Sequence, residues 1–155
     1  MQIRAIEPKD KNWILSFLKE EWGSPVIAAH GHLIDASILK GFIAHVDEER
    51  LGLVTFRLES LDCEIVSLNS KVIGGGKPLV NAVLEAARRE KCRRLWLITT
   101  NDNLGALRFY QKIGFHLKAV HPNALEVSRK LKPSIPLMGI GGIPLRDEIE
   151  LEMVL

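Results

Sequence analysis

The chain has 155 residues, with 21 Lys and Arg against 19 Asp and Glu, a formal charge of +2, and 46% hydrophobic residues. That apolar content suits one globular domain spanning 1–155 and excludes a disordered chain, and the near balance of charge excludes nucleic-acid wrapping driven by positive excess. Cys63 and Cys92 are too few for a disulfide framework or a thiolate zinc site, the Met1-Gln2-Ile3-Arg4 start lacks a signal-peptide core, and no apolar run reaches membrane-spanning length, so a cytoplasmic protein with neither nucleic-acid nor membrane partner is expected.

Residues 2–7 read as a short strand ended by Pro8. From Lys9 to Trp22, the apolar residues Trp13, Ile14, Phe17, Leu18 and Trp22 recur at helical spacing, and Gly23-Ser24-Pro25 stops the helix. The stretch 24–38 reads as irregular, with His30-Gly31-His32 at its centre. Residues 40–47 and 51–58 are two strands joined by a charged turn, and 62–68 a third. Gly74-Gly75-Gly76 leads into an amphipathic helix carrying Leu79, Val80, Val83, Leu84 and Ala87 to about Glu90. Leu95-Trp96-Leu97-Ile98 is a continuous apolar run, expected of a strand buried on both faces. Asn101-Asp102-Asn103 supplies cap chemistry for a helix bearing Leu104, Leu107, Tyr110 and Ile113; Gly114 ends it, and 115–121 resume a strand. A helix over 123–131, a Pro/Gly-rich segment over 132–144 and a final strand follow. In that half-buried strand Ile149, Leu151, Met153 and Leu155 alternate with Glu148, Glu150 and Glu152, which read as its polar face or, if they face the cleft, as a group that draws a cationic substrate.

Glycines between a strand and a helix have a physical use. They permit positive φ and close backbone approach, and the helix start offers unpaired N–H groups at the positive end of its dipole, an arrangement suited to a phosphate. Pro78 fits early in that helix. The loop matches neither nucleotide fingerprint: Gly76-Lys77 is followed by Pro78 rather than Ser or Thr, and Leu79 stands where a dinucleotide motif needs glycine.

Lys71-Val72-Ile73-Gly74-Gly75-Gly76-Lys77-Pro78-Leu79 resembles the pyrophosphate loop of the GNAT acyl-CoA-dependent N-acetyltransferases, Gln/Arg-x-x-Gly-x-Gly/Ala, with Lys71 in place of Gln or Arg and a loop a little shorter than usual. Downstream, Asn103-Leu104-Gly105-Ala106-Leu107-Arg108-Phe109-Tyr110-Gln111-Lys112-Ile113-Gly114-Phe115 is similar to the family's second signature, Asn-x-x-Ala-x-x-x-Tyr-x-x-x-Gly-Phe. The resemblance covers about residues 62–121. It implies a single-domain α/β fold with a central mixed, mostly antiparallel sheet, helices on both faces, and strands near 62–68 and 95–99 as a splayed parallel pair.

It also implies site residues. The cosubstrate acetyl-CoA would lay its pyrophosphate on the backbone from Val72 through Gly74, Gly75 and Gly76 to Lys77. Its pantetheine arm would pair with main chain at Leu68, Asn69 and Ser70, where an N–H near Leu68 would polarise the thioester carbonyl. Asn103 matches a position contacting the arm, with a helix N-cap as its plainer role. Tyr110, the only tyrosine, matches the hydroxyl that protonates or hydrogen-bonds the leaving thiolate, with a core aromatic as the plainer role. Glu64 lies where some family members, notably histone acetyltransferases, keep a general base; a carboxylate facing an apolar cleft is the kind of group that desolvation tunes into one, whereas other members use water chains. The activity implied is transfer of the acetyl group to a small-molecule amine by direct attack in a ternary complex, without a metal. A non-catalytic acyl-CoA sensor and an acetyltransferase of protein amines are the other readings, and a homodimer stays open.

Other residues carry less. His30 and His32 share a face of an extended segment without a metal-ligand cluster around them, and suit an acceptor pocket or solvent. The run 88–94 is a solvated helix end in which Cys92 would meet thiolate-stabilising cations. Segment 122–146 is placed to encode acceptor specificity.

Overall fold

The computed structural model describes residues 1–155, arranged in chain order as β1 (Gln2–Ala5), α1 (Lys11–Trp22), β2 (Val26–Ala29), β3 (His32–Asp35), β4 (Lys40–Val46), β5 (Glu49–Glu59), β6 (Asp62–Ser70), α2 (Gly76–Arg89), β7 (Arg94–Thr100), α3 (Leu104–Lys112), β8 (His116–His121), α4 (Ala124–Leu131) and β9 (Glu148–Val154). The class is α/β with a sheet of seven strands, as expected, while β2 and β3 form a separate hairpin in a stretch expected to be irregular. Two compact units divide the chain: residues 1–27, 35–95 and 155 make the first, residues 28–34 and 96–154 the second.

In the first unit β1, β4, β5 and β6 lie side by side, every pair antiparallel. Helix α1 buries Ile14, Phe17 and Leu18, the i, i+3, i+4 stripe of its sequence, against Ile27, Ala36, Ile43 and Leu53, with Trp13 stacked on Phe17 at 4.7 Å. Gly23 closes the helix at φ +78 and its N–H reaches the Lys19 carbonyl at 2.9 Å. The opposite face of the same strands receives α2, whose Leu79, Val80, Val83 and Ala87 are buried.

Ahead of α1, Asp10 is fully buried. Its carboxylate accepts two hydrogen bonds from the Arg4 guanidinium at 2.8 Å each, one from Arg50 Nε at 2.9 Å and one from the Glu7 N–H at 2.8 Å. Arg50 in turn lies 5.8 Å from the Trp13 ring centroid. One carboxylate thus ties β1, the entry to α1 and β5 together.

The β5–β6 register is interrupted once. Thr55 pairs Ser67, but the next residue, Phe56, pairs Ile65, leaving Val66 as an extra residue in β6. The interruption places Arg57 and Glu64, Thr55 and Ser67, and Leu53 and Asn69 on the α1 side of the sheet.

Gly41, in β4, is fixed by sterics: a Cβ there would lie 2.2 Å from the Val54 carbonyl oxygen and 2.7 Å from the Ile6 side chain. Because the closest atom is backbone, Gly41→Ala is expected to cost at least the roughly 1–3 kcal/mol typical of overpacking, read as a shift of the urea midpoint at constant slope.

In the second unit β9 lies between β7 and β8 and pairs antiparallel with β8. Two expectations are corrected here. In β7, Leu95 and Leu97 are buried while Trp96 and Ile98 are only half-buried, so the apolar run is not covered on both faces. In β9, Glu148 is 2% and Glu152 9% exposed, so the glutamates do not form a solvated face. The half-buried Glu150 meets His121 at 3.2 Å, and Lys118 meets Glu152 at 3.7 Å.

The connection between α4 and β9 is knitted to the turn ahead of α3. Asn101 accepts from the N–H groups of Arg146 and Asp147 at 3.1 and 3.0 Å, donates to the Pro144 carbonyl at 2.9 Å, and its own N–H reaches the Asp147 carbonyl at 3.0 Å. Asp102, buried at 4% exposure, accepts from the Thr100 hydroxyl and from the Ile140 N–H at 2.8 Å. Gly139 lies so close that a Cβ would stand 2.2 Å from Asp102 Oδ2.

Candidate functional site

In the first unit the end of β6 and the start of α2 are joined by a tight loop. The Ser70 hydroxyl donates to the Val72 carbonyl at 2.8 Å and accepts the Val72 N–H at 3.2 Å, turning the chain out of the strand. Gly74 takes φ +82, which a side chain would resist, and a Cβ on Gly75 would lie 2.1 Å from Ser70 Oγ. The positive φ favours glycine at position 74, and the Ser70 hydroxyl packs where a side chain on residue 75 would stand. Helix α2 then begins at Gly76 with no side-chain cap, so no side chain neutralises the N–H groups of its first turn, and Pro78 sits where an N–H is dispensable. Lys77 is exposed. The structure therefore brings Ser70, Val72, Gly74, Gly75, Gly76 and Lys77 into one backbone-lined turn with the character of an anion cradle.

Leu68, Asn69 and Ser70 are half-buried at the end of β6. The Asn69 side chain is held by α1: Trp22 Nε1 donates to its Oδ1 at 2.6 Å, and its amide nitrogen lies 3.4 Å from Glu21. Glu64 is 3% exposed and its carboxylate accepts from Arg57 Nε at 2.7 Å. A guanidinium partner is a different setting from the apolar cleft expected of it.

In the second unit Asn103 caps α3, its side-chain oxygen accepting the Ala106 N–H at 3.1 Å. The amide nitrogen takes no part in the cap. Tyr110 lies seven residues on, two turns along the same helix face. Its ring is fixed edge-on by Phe109 at 5.0 Å and Phe115 at 5.3 Å, it is 7% exposed, and burial pushes the phenol upward, so it is a protonated donor at neutral pH.

Both cysteines are free and buried, and their surroundings favour the thiol over the thiolate. Burial, then the neighbouring Cys92 and Glu64, push Cys63 up to about 12, and burial likewise raises Cys92, overriding the nearby cations expected to lower it. No group of three or more His, Cys, Asp or Glu is placed to hold a metal ion. No helix is long and apolar enough to cross a membrane.

Comparison with known proteins decides the family. The acetyltransferase (GNAT) family matches residues 11–115. The chain belongs to the GNAT family. A Bacillus subtilis relative, the uncharacterized protein YdhI, is 43% identical over 143 residues, covering 90% of this chain and 89% of that protein. Among solved structures, a Bacillus subtilis acetyltransferase in complex with CoA has a TM-score of 0.71 at 20% identity, covering 99% of this chain and 98% of that one. A GNAT-family acetyltransferase from Elizabethkingia anophelis with acetyl-CoA bound has a TM-score of 0.70 at 20% identity, covering 99% and 97%. These likenesses show the GNAT fold. Sequence reasoning overlooked Asp102 as the anchor of the α4–β9 connection and Arg57 as the partner of Glu64; the second was within reach, since the short turn between β5 and β6 brings residues seven apart into register.

Proposed function

We propose that this GNAT protein transfers the acetyl group of acetyl-CoA to an amine of a small molecule by direct attack in a ternary complex. The observation that carries the reading is the uncapped start of α2 behind a glycine-lined turn, because a helix start left without a side-chain acceptor is suited to receive an anion such as a pyrophosphate. The residues fit that group. No carboxylate lies between Val72 and Lys77, and Gly76 and Lys77 open α2 with first-turn N–H groups, while the N–H groups of Val72 and Gly75 are held by Ser70 Oγ and the Val72 carbonyl; Leu68, Asn69 and Ser70 offer strand main chain for the arm.

Tyr110 suits the departing thiolate. A buried phenol that keeps its proton at neutral pH can donate to sulfur as the carbon–sulfur bond breaks, and its ring contacts fix the hydroxyl's direction before reaction begins. Asn103 presents its amide nitrogen at the start of the same helix.

The test is thiol release from acetyl-CoA against a panel of primary amines. Acceptor-dependent release is expected for one amine class, and Tyr110→Phe should lower kcat about 10²-fold with the acetyl-CoA KM little changed, the size typical of a lost proton donor. Tight CoA binding by calorimetry without release from any amine would overturn acetyl transfer in favour of an acyl-CoA sensor. Release that Tyr110→Phe leaves intact would remove Tyr110 from the mechanism.

A further inference from the structure

Helix α2 covers β4, β5 and β6 but only touches β1, the edge strand of the sheet. Between the helix and that edge lies an open groove of about 430 Å³, wholly within the first unit and of a size usual for small-molecule sites. Its floor is apolar. Ile43 faces α1, so its neighbour Phe42 faces α2; Phe42 pairs with Ala5, and Ala44 with Ile3, which puts Ile3, Ala5 and Phe42 on the α2 side of the sheet. Phe42 is half-buried, stacked on Phe56 at 5.8 Å, and borders the groove.

The rim is polar. Asn81, Glu85 and Arg89 recur every four residues, so one face of α2 brings an amide, a carboxylate and a guanidinium to the groove on successive turns. All three residues are exposed, and their side chains take no hydrogen-bond or ion-pair partner within the protein. Glu85 and Arg89 stand acid first and four residues apart, the order and spacing at which a helix readily makes an ion pair along its own surface. They make none and line the groove instead. Arg4 also borders it, but its guanidinium is committed to Asp10 at 2.8 Å. The groove thus offers one cation and one anion a single helical turn apart, above an apolar floor.

We propose that this groove binds a free α-amino acid with an apolar side chain, its carboxylate on Arg89, its ammonium on Glu85 and its side chain over Phe42. Helix positions one turn apart have Cβ atoms about 5–6 Å from each other, so the two side-chain ends can close on two charges borne by a single carbon atom. The planar guanidinium suits a carboxylate through paired N–H donors, and the Asn81 amide beside them can donate or accept. A peptide carries its terminal charges at opposite ends, so the free amino acid is the form that matches both. The site shares no residue with the turn that ends at Lys77, and it does not depend on the acetyl-transfer reading.

Amide NMR titration of the full chain with L-phenylalanine tests this without any turnover. Shifts are expected at Ile3, Ala5 and Phe42 and along α2 from Asn81 to Arg89. L-Phenylalaninamide lacks the carboxylate and N-acetyl-L-phenylalanine the ammonium; each should bind about fivefold more weakly, the upper end for one exposed ion pair, and glycine, without a side chain, should also bind more weakly. Glu85→Gln should weaken L-phenylalanine about fivefold and leave N-acetyl-L-phenylalanine unchanged, while Arg89→Gln should weaken it equally and leave the amide unchanged. Glutamine suits an exposed helix position, and a helix that unfolded would lose every ligand alike, so these paired responses report on the contacts themselves. Absence of binding, equal affinity for the blocked forms, or shifts elsewhere that neither substitution alters would overturn the site.

Discussion

Asp10→Ala should cost about 3 kcal/mol of stability, lowering the melting temperature by roughly 6–12 °C for a chain of this size. The figure follows from what the substitution leaves behind. Removing one partner of a buried ion pair typically costs about 3–5 kcal/mol, because the other charge stays desolvated. Here the orphaned charges are Arg4 and Arg50, whose side chains keep about a quarter of their surface in water, so both can rehydrate in part and the lower end applies. Asp10→Asn, which keeps an acceptor for the Glu7 N–H, should lose less.

The same group gives the protein an acid limb. Hydrogen bonds from the Arg4 guanidinium, then the Glu7 N–H and Arg50, hold the Asp10 carboxyl well below the usual carboxylate range against the opposing effect of burial. In the unfolded chain this carboxyl titrates near its ordinary value of about 3.9. Its contribution is therefore complete above about pH 5 and declines as the pH falls through 4 and below, where the unfolded chain takes up a proton that the folded one refuses. Urea midpoints measured from pH 7 down to pH 3 should fall more steeply for the parent than for Asp10→Asn. Parallel curves would show that the ion cluster contributes nothing to acid sensitivity.

Asp102→Ala should cost about 2–3 kcal/mol and act locally. The change leaves the Thr100 hydroxyl and the Ile140 N–H without their buried acceptor, and hydrogen bonds to a charged group are each worth about 1.5–3 kcal/mol before relaxation. Since the lost contacts join the turn before α3 to residues 139–140, hydrogen exchange at Ile140 should accelerate by about 10²-fold, more than at amides in β4 or β5. Gly139→Ala attacks the same joint from the other side, pressing a methyl against the Asp102 carboxylate. Because they share one contact, the two changes combined should cost less than the sum of their separate effects. Additive losses, with no local change at Ile140, would show that the joint is not a unit.

The parts of this molecule that could be read from the sequence are those governed by local periodicity. The stripe of α1, the glycine stop at Gly23, the Asn103 cap and the strand, loop, helix, strand order over 62–121 depend on residues within a few positions of one another. So does the glycine turn, whose need for Gly74 and Gly75 is set by φ and by Ser70 five residues back. The hairpin of β2 and β3 escaped notice because each strand has only four residues and its turn is led by His30 rather than by a usual turn former. The burial of Glu148 and Glu152 was illegible for another reason: alternation shows that a strand has two kinds of face, but not that both are covered. Contacts such as Trp22 with Asn69, 47 positions apart, or Asp102 with Ile140, 38 apart, leave no periodic trace. Of the site, the backbone-lined turn and the capped helix bearing Tyr110 were legible, while the setting of Glu64 was fixed by its partner across a strand pair.

A strand counts in twos, and β6 counts three at a single place. Counting straight back from Asn69 would put Cys63 on the α1 side and Glu64 among the apolar residues beneath α2. The spare residue, Val66, exchanges the two. The carboxylate thereby meets Arg57, and the thiol is sealed under a helix where it holds its proton to about 12. One residue of arithmetic thus decides that the wall carrying Asn69 presents a fixed charge instead of a nucleophilic sulfur. Under the acetyl-transfer reading proposed above, a thiol in that place would be a competing acyl acceptor.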